Sequence, residues 1–382
     1  MSRGIDLNNP KPLYEQIEDD IRDQILRGEL ASGQQVASQN ELSKIYNVSL
    51  ITVKKALSDL VSEGTLITRQ GKGTFVAEPA VKKADLSAHR TLGVVLRDLK
   101  HPFFSLVIHS IEERARELGY GLLLSSSSND LEKEEAQINK FREMGVDGII
   151  IASLSLRYRA STNIKKLHDE NFPYIMVSYI HDPDYWYIGS DHEYGGFLAT
   201  EHLIKCGYKK IGYLGVGKGN LLSEVRKNGY YRALVENDVP FDSKLIFYSG
   251  EENFEQNIDR RMLGYEFGKK FNSLSKKPDA LYVYSDLVAL GFLQAVLESG
   301  LKIPEDIAIV GNDDIQIAPF TPVPLTTIQQ PSDKIGRMAV DIIQNRIDEK
   351  DIGNRTILKP KLIIRKSCGA DKNKIFSDLI AS

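Results

Sequence analysis

Residues 38–57, SQNELSKIYNVSLITVKKAL, decide the front of the chain. Leu42, Ile45, Val48, Val53, Ala56, Leu57 and Leu60 recur at helical spacing and predict two short helices, each with one buried face. Asn47 stands between them and suits the left-handed backbone of a tight helix exit. Ser49 is placed to cap the second helix through its hydroxyl. That start turns Leu50, Ile51, Lys54, Lys55 and Ser58 away from the buried stripe. A short helix with such an outer face is shaped to enter a major groove.

The flanks extend the pattern. Upstream, Leu13, Ile17, Ile21 and Ile25 recur every four residues behind Pro12, and Gly28 closes that helix. Downstream, TLITR and TFVAE are β-rich runs around Gln70, Gly71, Lys72 and Gly73, which makes a hairpin. Three helices and a basic hairpin tip compose a winged helix-turn-helix. The block 12–77, with PLYEQIEDDIRDQILRGEL, NELSKIYNVS, TVKKALSDLVSEGTL and RQGKGTFV, closely resembles the N-terminal domain of the GntR family of bacterial transcription regulators. The resemblance implies DNA contacts at Ser38, Gln39 and Asn40, at Ser49, Leu50, Thr52 and Lys54, and at Gln70, Gly71 and Lys72 of the wing. Lys55 on the exposed helix face and Arg69 at the wing base join this set. Two departures matter: the family usually carries Arg where this chain has Leu50 and Lys54, and Pro-Ser-Glu where it has Ala37, Ser38 and Gln39. Arginine reads guanine with a two-pronged contact, whereas leucine can only press on a thymine methyl and lysine suits phosphate. The operator half-site is therefore expected to carry thymine opposite Leu50.

The net charge of −3 excludes a bulk polybasic tether, so any nucleic-acid surface has to be local. Residues 1–43 carry four basic against eight acidic side chains, while residues 44–83 carry seven basic against three acidic. The positive balance thus falls on the recognition helix and wing. The 382 residues exceed one ordinary domain, and about 290 remain after the reader, enough for a two-lobed α/β unit. Residues 78–91 lack apolar periodicity and read as an exposed linker. The expected division is a reader over 1–77, a linker over 78–91, a sensor over 92–369 and a tail over 370–382. No apolar run approaches the ~18 residues of a membrane span and the N-terminus lacks a secretion signal, so a cytoplasmic protein with no membrane partner is expected. Two cysteines, Cys206 and Cys368, stand far apart without metal-type spacing, and seven scattered histidines form no ligand pair. Neither a metal nor a cofactor is expected.

From Thr91 onward short apolar runs alternate with amphipathic helices: LGVVL, GLLLSS, DGIIIAS and PYIMVS, then after Tyr187 KIGYLGV, LIFYSG, ALYVYS and IAIVGN. This is the pattern of parallel sheets wrapped by helices, in two similar lobes. The fold class is thus mixed: an α+β winged helix-turn-helix followed by a two-lobed α/β parallel-sheet sensor. Strand carboxyl ends open onto a crevice, where a small ligand fits. The loops there hold Asp98, His101, Phe103, Phe104 and Ser153 in the first lobe, and Asp191, Arg226, Ser285, Asp286 and Asp313 in the second. Aromatic faces with Asp, Asn and Arg around them suit a neutral polyol.

Residues 91–369 resemble the effector domain of the LacI/GalR regulators, a fold related to periplasmic sugar-binding proteins. The carrying motifs are LGVVLRDLKHPFFSLVIHSIEERARELGY, DHEYGGFLATEHLIKCGYKKIGYLG, KPDALYVYSDLVALGFLQAVLESGLKIPEDIAIVGNDDI and PLTTIQQP. The resemblance implies that His101, Phe103 and Phe104 line one wall, that Arg226 and Asp313 clamp hydroxyls, and that Ser285 and Asp286 form the floor. Ser285 stands where Asn is commoner. The order of the two halves is similar to the arabinose-repressor class of hybrid regulators. That implies a flexible tether, a homodimer, a palindromic operator and chain crossings near 189, 328 and 350. It also implies a repressor of carbohydrate genes released by a monosaccharide; a phosphosugar or non-sugar corepressor is the alternative. A pentose or deoxyhexose is expected first, since the motifs supply few counter-charges for phosphate. Catalysis is not expected: Gly215, Gly217 and Gly219 would need a further glycine at Asn220's place to make a dinucleotide loop, and no nucleophile has a neighbouring base. A transport component would have no use for residues 12–77.

Overall fold

The computed structural model describes residues 10–69, 71–77, 90–99, 101–153, 160–250, 259–350 and 353–370. It divides into two compact units, Met1–Asp85 and Leu86–Ser382. Most of the expected linker, 78–89, lies outside the described residues, as do Gln70 and all but Ala370 of the expected tail.

The first unit holds α1 (Leu13–Leu26), α2 (Gln39–Tyr46), α3 (Leu50–Ser62) and an antiparallel hairpin of β1 (Leu66–Arg69) and β2 (Gly73–Val76). Ser38 and Glu41 form a capping box at the start of α2, which satisfies two amides that have no partner within the helix. Asn47 leaves α2 with φ 52°, and the Ser49 hydroxyl accepts from the Thr52 amide at 3.2 Å to start α3. Ile17, Ile21, Leu42, Val53, Leu57 and Leu60 fill the core. Ile45 does not join them and is 40% exposed. Its neighbour Tyr46 takes the position four residues after Leu42, buries its ring and donates its hydroxyl to Asp20 at 2.5 Å. In an eight-residue helix one such ring completes the apolar face.

In the second unit, lobe 1 is a sheet of β3 (Thr91–Leu96), β4 (Gly121–Ser126), β5 (Gly148–Ala152), β6 (Tyr174–Met176), β7 (Tyr187–Ser190) and β13 (Arg355–Leu358), in the order β13-β7-β6-β5-β3-β4. It is covered by α4 (Pro102–Glu117), α5 (Leu131–Glu143), α6 (Thr162–Asp169) and α11 (Ser332–Ile347). Lobe 2 contains α7 (His192–Lys205), β8 (Ile211–Val216), α8 (Leu221–Glu236), β9 (Ile246–Ser249), α9 (Arg260–Phe271), β10 (Ala280–Val283), α10 (Asp286–Glu298), β11 (Ala308–Asp313), β12 (Thr326–Gln329) and β14 (Lys361–Ile363). Its sheet order is β14-β12-β11-β10-β8-β9, parallel except for β14 against β12. Strands β3, β5, β8, β10 and β11 are buried at every position, as sheets with helices on both faces require.

The chain passes between lobes after β7, after β12 and again between β13 and β14. The first passage lies between Ser190 and His192 and the second between Gln329 and Ser332. The third lies at 359–360 rather than near 350, because the four residues of β13 still pair with β7 as the edge of lobe 1. An edge strand this short has no apolar run to announce it.

Lobe 2 is tightened by two pairs of glycines at helix crossings. A Cβ on Gly229 of α8 would lie 1.9 Å from the Glu193 carbonyl oxygen, and one on Gly196 of α7 would lie 2.1 Å from that of Arg226. Gly264 and Gly291 do the same for α9 and α10, each with a carbonyl oxygen 1.8 Å from an added Cβ. The helices therefore touch backbone to backbone.

Candidate DNA-reading face and interlobe cleft

In the first unit the starts of α2 and α3 and the hairpin border one concave face. Ser38, Gln39, Asn40, Leu50, Lys54, Arg69 and Gly71 line it, together with Gln35 and Ile51. Gln35 braces the wing by donating to the Lys72 carbonyl at 2.9 Å. Ile51 is 81% exposed, which makes it a second apolar side chain beside Leu50. Ser49 and Thr52 are engaged with each other at 2.8 Å in the helix cap, and Lys72 is exposed outside the lining. Lys55 points elsewhere: it pairs with Asp59 at 2.9 Å and lies over the Tyr14 ring. Asp59, one turn further along α3, and the Tyr14 ring of α1 hold it away from the face.

The second unit holds a cleft of about 590 Å³, part of it open to solvent, where both lobes meet. His101, Phe103 and Phe104 come from the start of α4, whose N-cap is His101 itself. From lobe 2, Arg226 of α8 donates to the Tyr284 carbonyl after β10 and to Asp313 Oδ1 at the end of β11, at 3.4 Å. Asn312 at 2.8 Å and Gln330 at 2.6 Å donate to the same oxygen, so Oδ2 carries none of these bonds. Asp313 holds this place with φ 123°, a backbone state that costs a non-glycine residue ~1–3 kcal/mol. Burial opposes the charge of Arg226, but Asp313 and the surrounding tyrosine oxygens outweigh it and hold the guanidinium protonated. Two polar atoms of the lining, Arg226 Nε and Ser190 Oγ, have no hydrogen-bond partner within the protein.

Sequence reasoning missed much of this wall. Arg97 follows β3 directly, His192 and Ser190 flank Asp191, and Arg260 opens α9; all line the cleft. Arg260 donates to His101 Nε2 at 2.7 Å, joining the two lobes. Burial and then Arg260, Arg97 and Arg226 push the His101 pKa well below its ordinary value, and burial with Arg226 does so for His192. Both rings are neutral near pH 7, so three guanidinium groups face one carboxylate, Asp313. The expectation of few counter-charges for phosphate is thereby corrected.

The structure does not bring Asp98, Ser153, Asp191, Ser285 and Asp286 to the lining. Strand-to-helix turns leave amides without partners, and short polar side chains are drawn to them. Asp191 accepts from the Tyr194 amide at 2.9 Å, and Ser285 caps α10 at the Val288 amide. Ser153 lies behind the wall, donating to buried Glu134 at 2.7 Å. Asp98 is half-buried.

Asp286 accepts from the Thr327 hydroxyl at 2.6 Å and the Ile315 amide at 3.0 Å. Burial and the nearby Asp313 raise its pKa to about 7. Since the folded value exceeds the unfolded one, its contribution to stability is complete below pH ~4 and is lost as pH rises toward 7. The stability advantage of the native chain over Asp286→Asn should shrink by a few kcal/mol across that window, because each tenfold difference in proton affinity is worth about 1.4 kcal/mol. Urea titrations of both proteins from pH 4.5 to 7.5 check this; a constant difference would show that Asp286 stays ionised.

Comparison with known proteins fits both halves. Residues 13–76 match the model of bacterial regulatory proteins of the gntR family, and residues 200–368 match that of the periplasmic binding protein-like domain. The arabinose metabolism transcriptional repressor of Geobacillus stearothermophilus is 31% identical over 369 residues, covering 93% of this chain and 97% of that protein. The chain belongs to this family of bacterial transcription regulators.

The regulator is also 29% identical to the HTH-type transcriptional repressor PurR of Haemophilus influenzae, over 87% of this chain and 98% of that one. The crystal structure of transcription regulator CcpA of Lactococcus lactis superposes with a TM-score of 0.64 at 26% identity, over 73% of the regulator and 99% of that chain. Among the described residues no helix is long and apolar enough to cross a membrane.

Proposed function

We propose that the regulator is a cytoplasmic, non-catalytic repressor of carbohydrate-utilisation genes that binds a palindromic operator as a homodimer and is released by a monosaccharide in the interlobe cleft. The observation that carries this reading is the buried Arg226–Asp313 pair between two lobes, in one chain with a DNA-reading face. A hydroxyl pair can donate to Asp313 Oδ2 while Phe103 and Phe104 cover the apolar face of a sugar ring. The sequence and name of the Geobacillus repressor support a carbohydrate role. An anionic sugar, phosphorylated or oxidised to a carboxylate, is the second reading, favoured by Arg97, Arg226 and Arg260 in the lining.

The test is reciprocal titration. If the sugar weakens operator binding, the operator must weaken sugar binding by the same factor, typically ~5- to 150-fold. Neutral pentoses and their phosphates should be compared side by side. An operator that leaves sugar affinity unchanged for every ligand would remove the proposed linkage. Sedimentation of the operator complex should give two chains per duplex.

At the DNA face, α3 presents Leu50, Ile51 and Lys54 and no arginine, and Arg69 of the wing lies over the Phe75 ring. Selection from random duplexes should return thymine opposite Leu50, and Leu50→Arg should shift that position toward guanine by ~1–3 kcal/mol. Guanine selected by the native chain would sink this reading.

A further inference from the structure

Helix α7 begins in the cleft at His192 and ends in a cluster the cleft does not use. His202 lies one turn before the end of α7, Cys206 is its C-cap, and Cys368 arrives from the segment after β14. All three are buried, and one ligand atom from each lies within 4.8 Å of the others. The chain has only these two cysteines, separated by most of lobe 2 in sequence, and the fold sets both against one imidazole. The sequence spacing that argued against a metal site does not reveal this cluster, which the return of the C-terminal segment assembles.

The His202 Nε2 to Cys206 Sγ distance is 3.6 Å. Bonds of ~2.3 Å to sulfur and ~2.0–2.1 Å to nitrogen require an N-to-S edge of about 3.5–3.8 Å around a tetrahedral or trigonal centre. Cys368 also donates to the Arg365 carbonyl at 3.5 Å and hydrogen-bonds Thr326, so the three side chains form one polar cluster inside an apolar surround, with the edge length that a shared metal ion requires. We propose that His202, Cys206 and Cys368 bind one thiophilic d10 metal ion, Cu(I) or Zn(II). Two thiolates and an imidazole select soft ions over Mg(II) or Ca(II). The surrounding Ala199, Leu203 and Ile328 keep the site dry. Three ligands suffice for Cu(I). Zn(II) would add the hydroxyl of Thr326, which hydrogen-bonds Cys368, or the Arg365 carbonyl, 3.5 Å from the same sulfur. Either ion would clasp the C-terminal segment to the helix whose other end lines the cleft.

The full chain, stripped with chelator under reducing conditions, should be loaded anaerobically with Cu(I) alone or Zn(II) alone and passed through gel filtration. Retention of about one equivalent of either ion, with a raised unfolding temperature, is the expected result. Cys206→Ser and Cys368→Ser should each retain less than about a tenth as much, with folding verified by circular dichroism. Loading the native chain with Co(II) should produce sulfur-to-metal charge-transfer absorption, a readout that needs no variant. Failure to retain either ion, or equal retention by the double serine variant, overturns the proposal. So does hydrogen peroxide closing a Cys206–Cys368 disulfide equally fast in zinc-loaded and stripped chain; one peroxide oxidises the two sulfurs and leaves as two waters, taking its protons from the thiols of the stripped chain or from solvent when zinc holds the thiolates.

Discussion

Arg226→Ala is expected to make the regulator blind to its effector while its operator affinity stays within a few-fold of the native value. The guanidinium is buried at the point where Asp313, Tyr284 and His192 converge. Removing a buried, hydrogen-bonded charge that, on the proposed reading, contacts the effector costs ~2–5 kcal/mol of binding, roughly 30- to 5,000-fold in affinity. The change also strips Asp313 of its counter-charge, which destabilises the fold by ~3–5 kcal/mol. The two effects are separable. In Arg226→Ala/Asp313→Asn the uncompensated carboxylate is gone, so stability should recover in large part while effector binding stays lost. Calorimetry with the effector identified by the titrations above, beside urea unfolding of the three proteins, makes the comparison. Effector affinity that returns along with stability would mean that Arg226 serves the fold alone.

Gly229→Ala should produce the second large effect without touching ligand. Its added methyl would sit 1.9 Å from the Glu193 carbonyl oxygen, where nothing flexible can yield, so α7 and α8 must part. Overpacking of this kind costs ~1–3 kcal/mol, and the helices that move carry His192 and Arg226. The expected outcome is a lower unfolding midpoint together with at least ten-fold weaker effector binding, since misplacing a buried clamp forfeits ~1.4 kcal/mol or more. Ala199→Gly, on α7 and facing the same lobe core, serves as a control that loosens packing without spreading the helices. A stability loss with unaltered effector affinity would show that the crossing does not position Arg226.

The architecture was legible because each segment obeyed local rules. Asn47 and Ser49 perform the exit and cap that their side chains suggest, and the apolar runs from LGVVL to IAIVGN became strands; Ser38, read only as a DNA contact, also caps α2. The cleft was harder. Where a strand meets a helix, the polar residues nearest the turn are consumed by the backbone, so Asp191 and Ser285 became caps and their neighbours Ser190, His192 and Tyr284 took the wall. Arg260 and Gln330 reach the cleft only because lobe closure and the second chain passage bring them there. No periodicity encodes such contacts. The same limit hid the meeting of Cys206 and Cys368, which depends on a strand of three residues, β14.

The threefold passage of the chain between lobes has a bearing on synthesis. The reader is one contiguous stretch and can finish folding early on the ribosome, as N-terminal units do. Neither lobe can do so, because lobe 1 lacks its edge until β13 emerges and lobe 2 lacks its own until β14 follows. Each newborn polypeptide therefore passes through an interval in which the folded head exists before either lobe of the sensor is complete. A stalled or clipped product from that interval would have a head with no means of being told to let go.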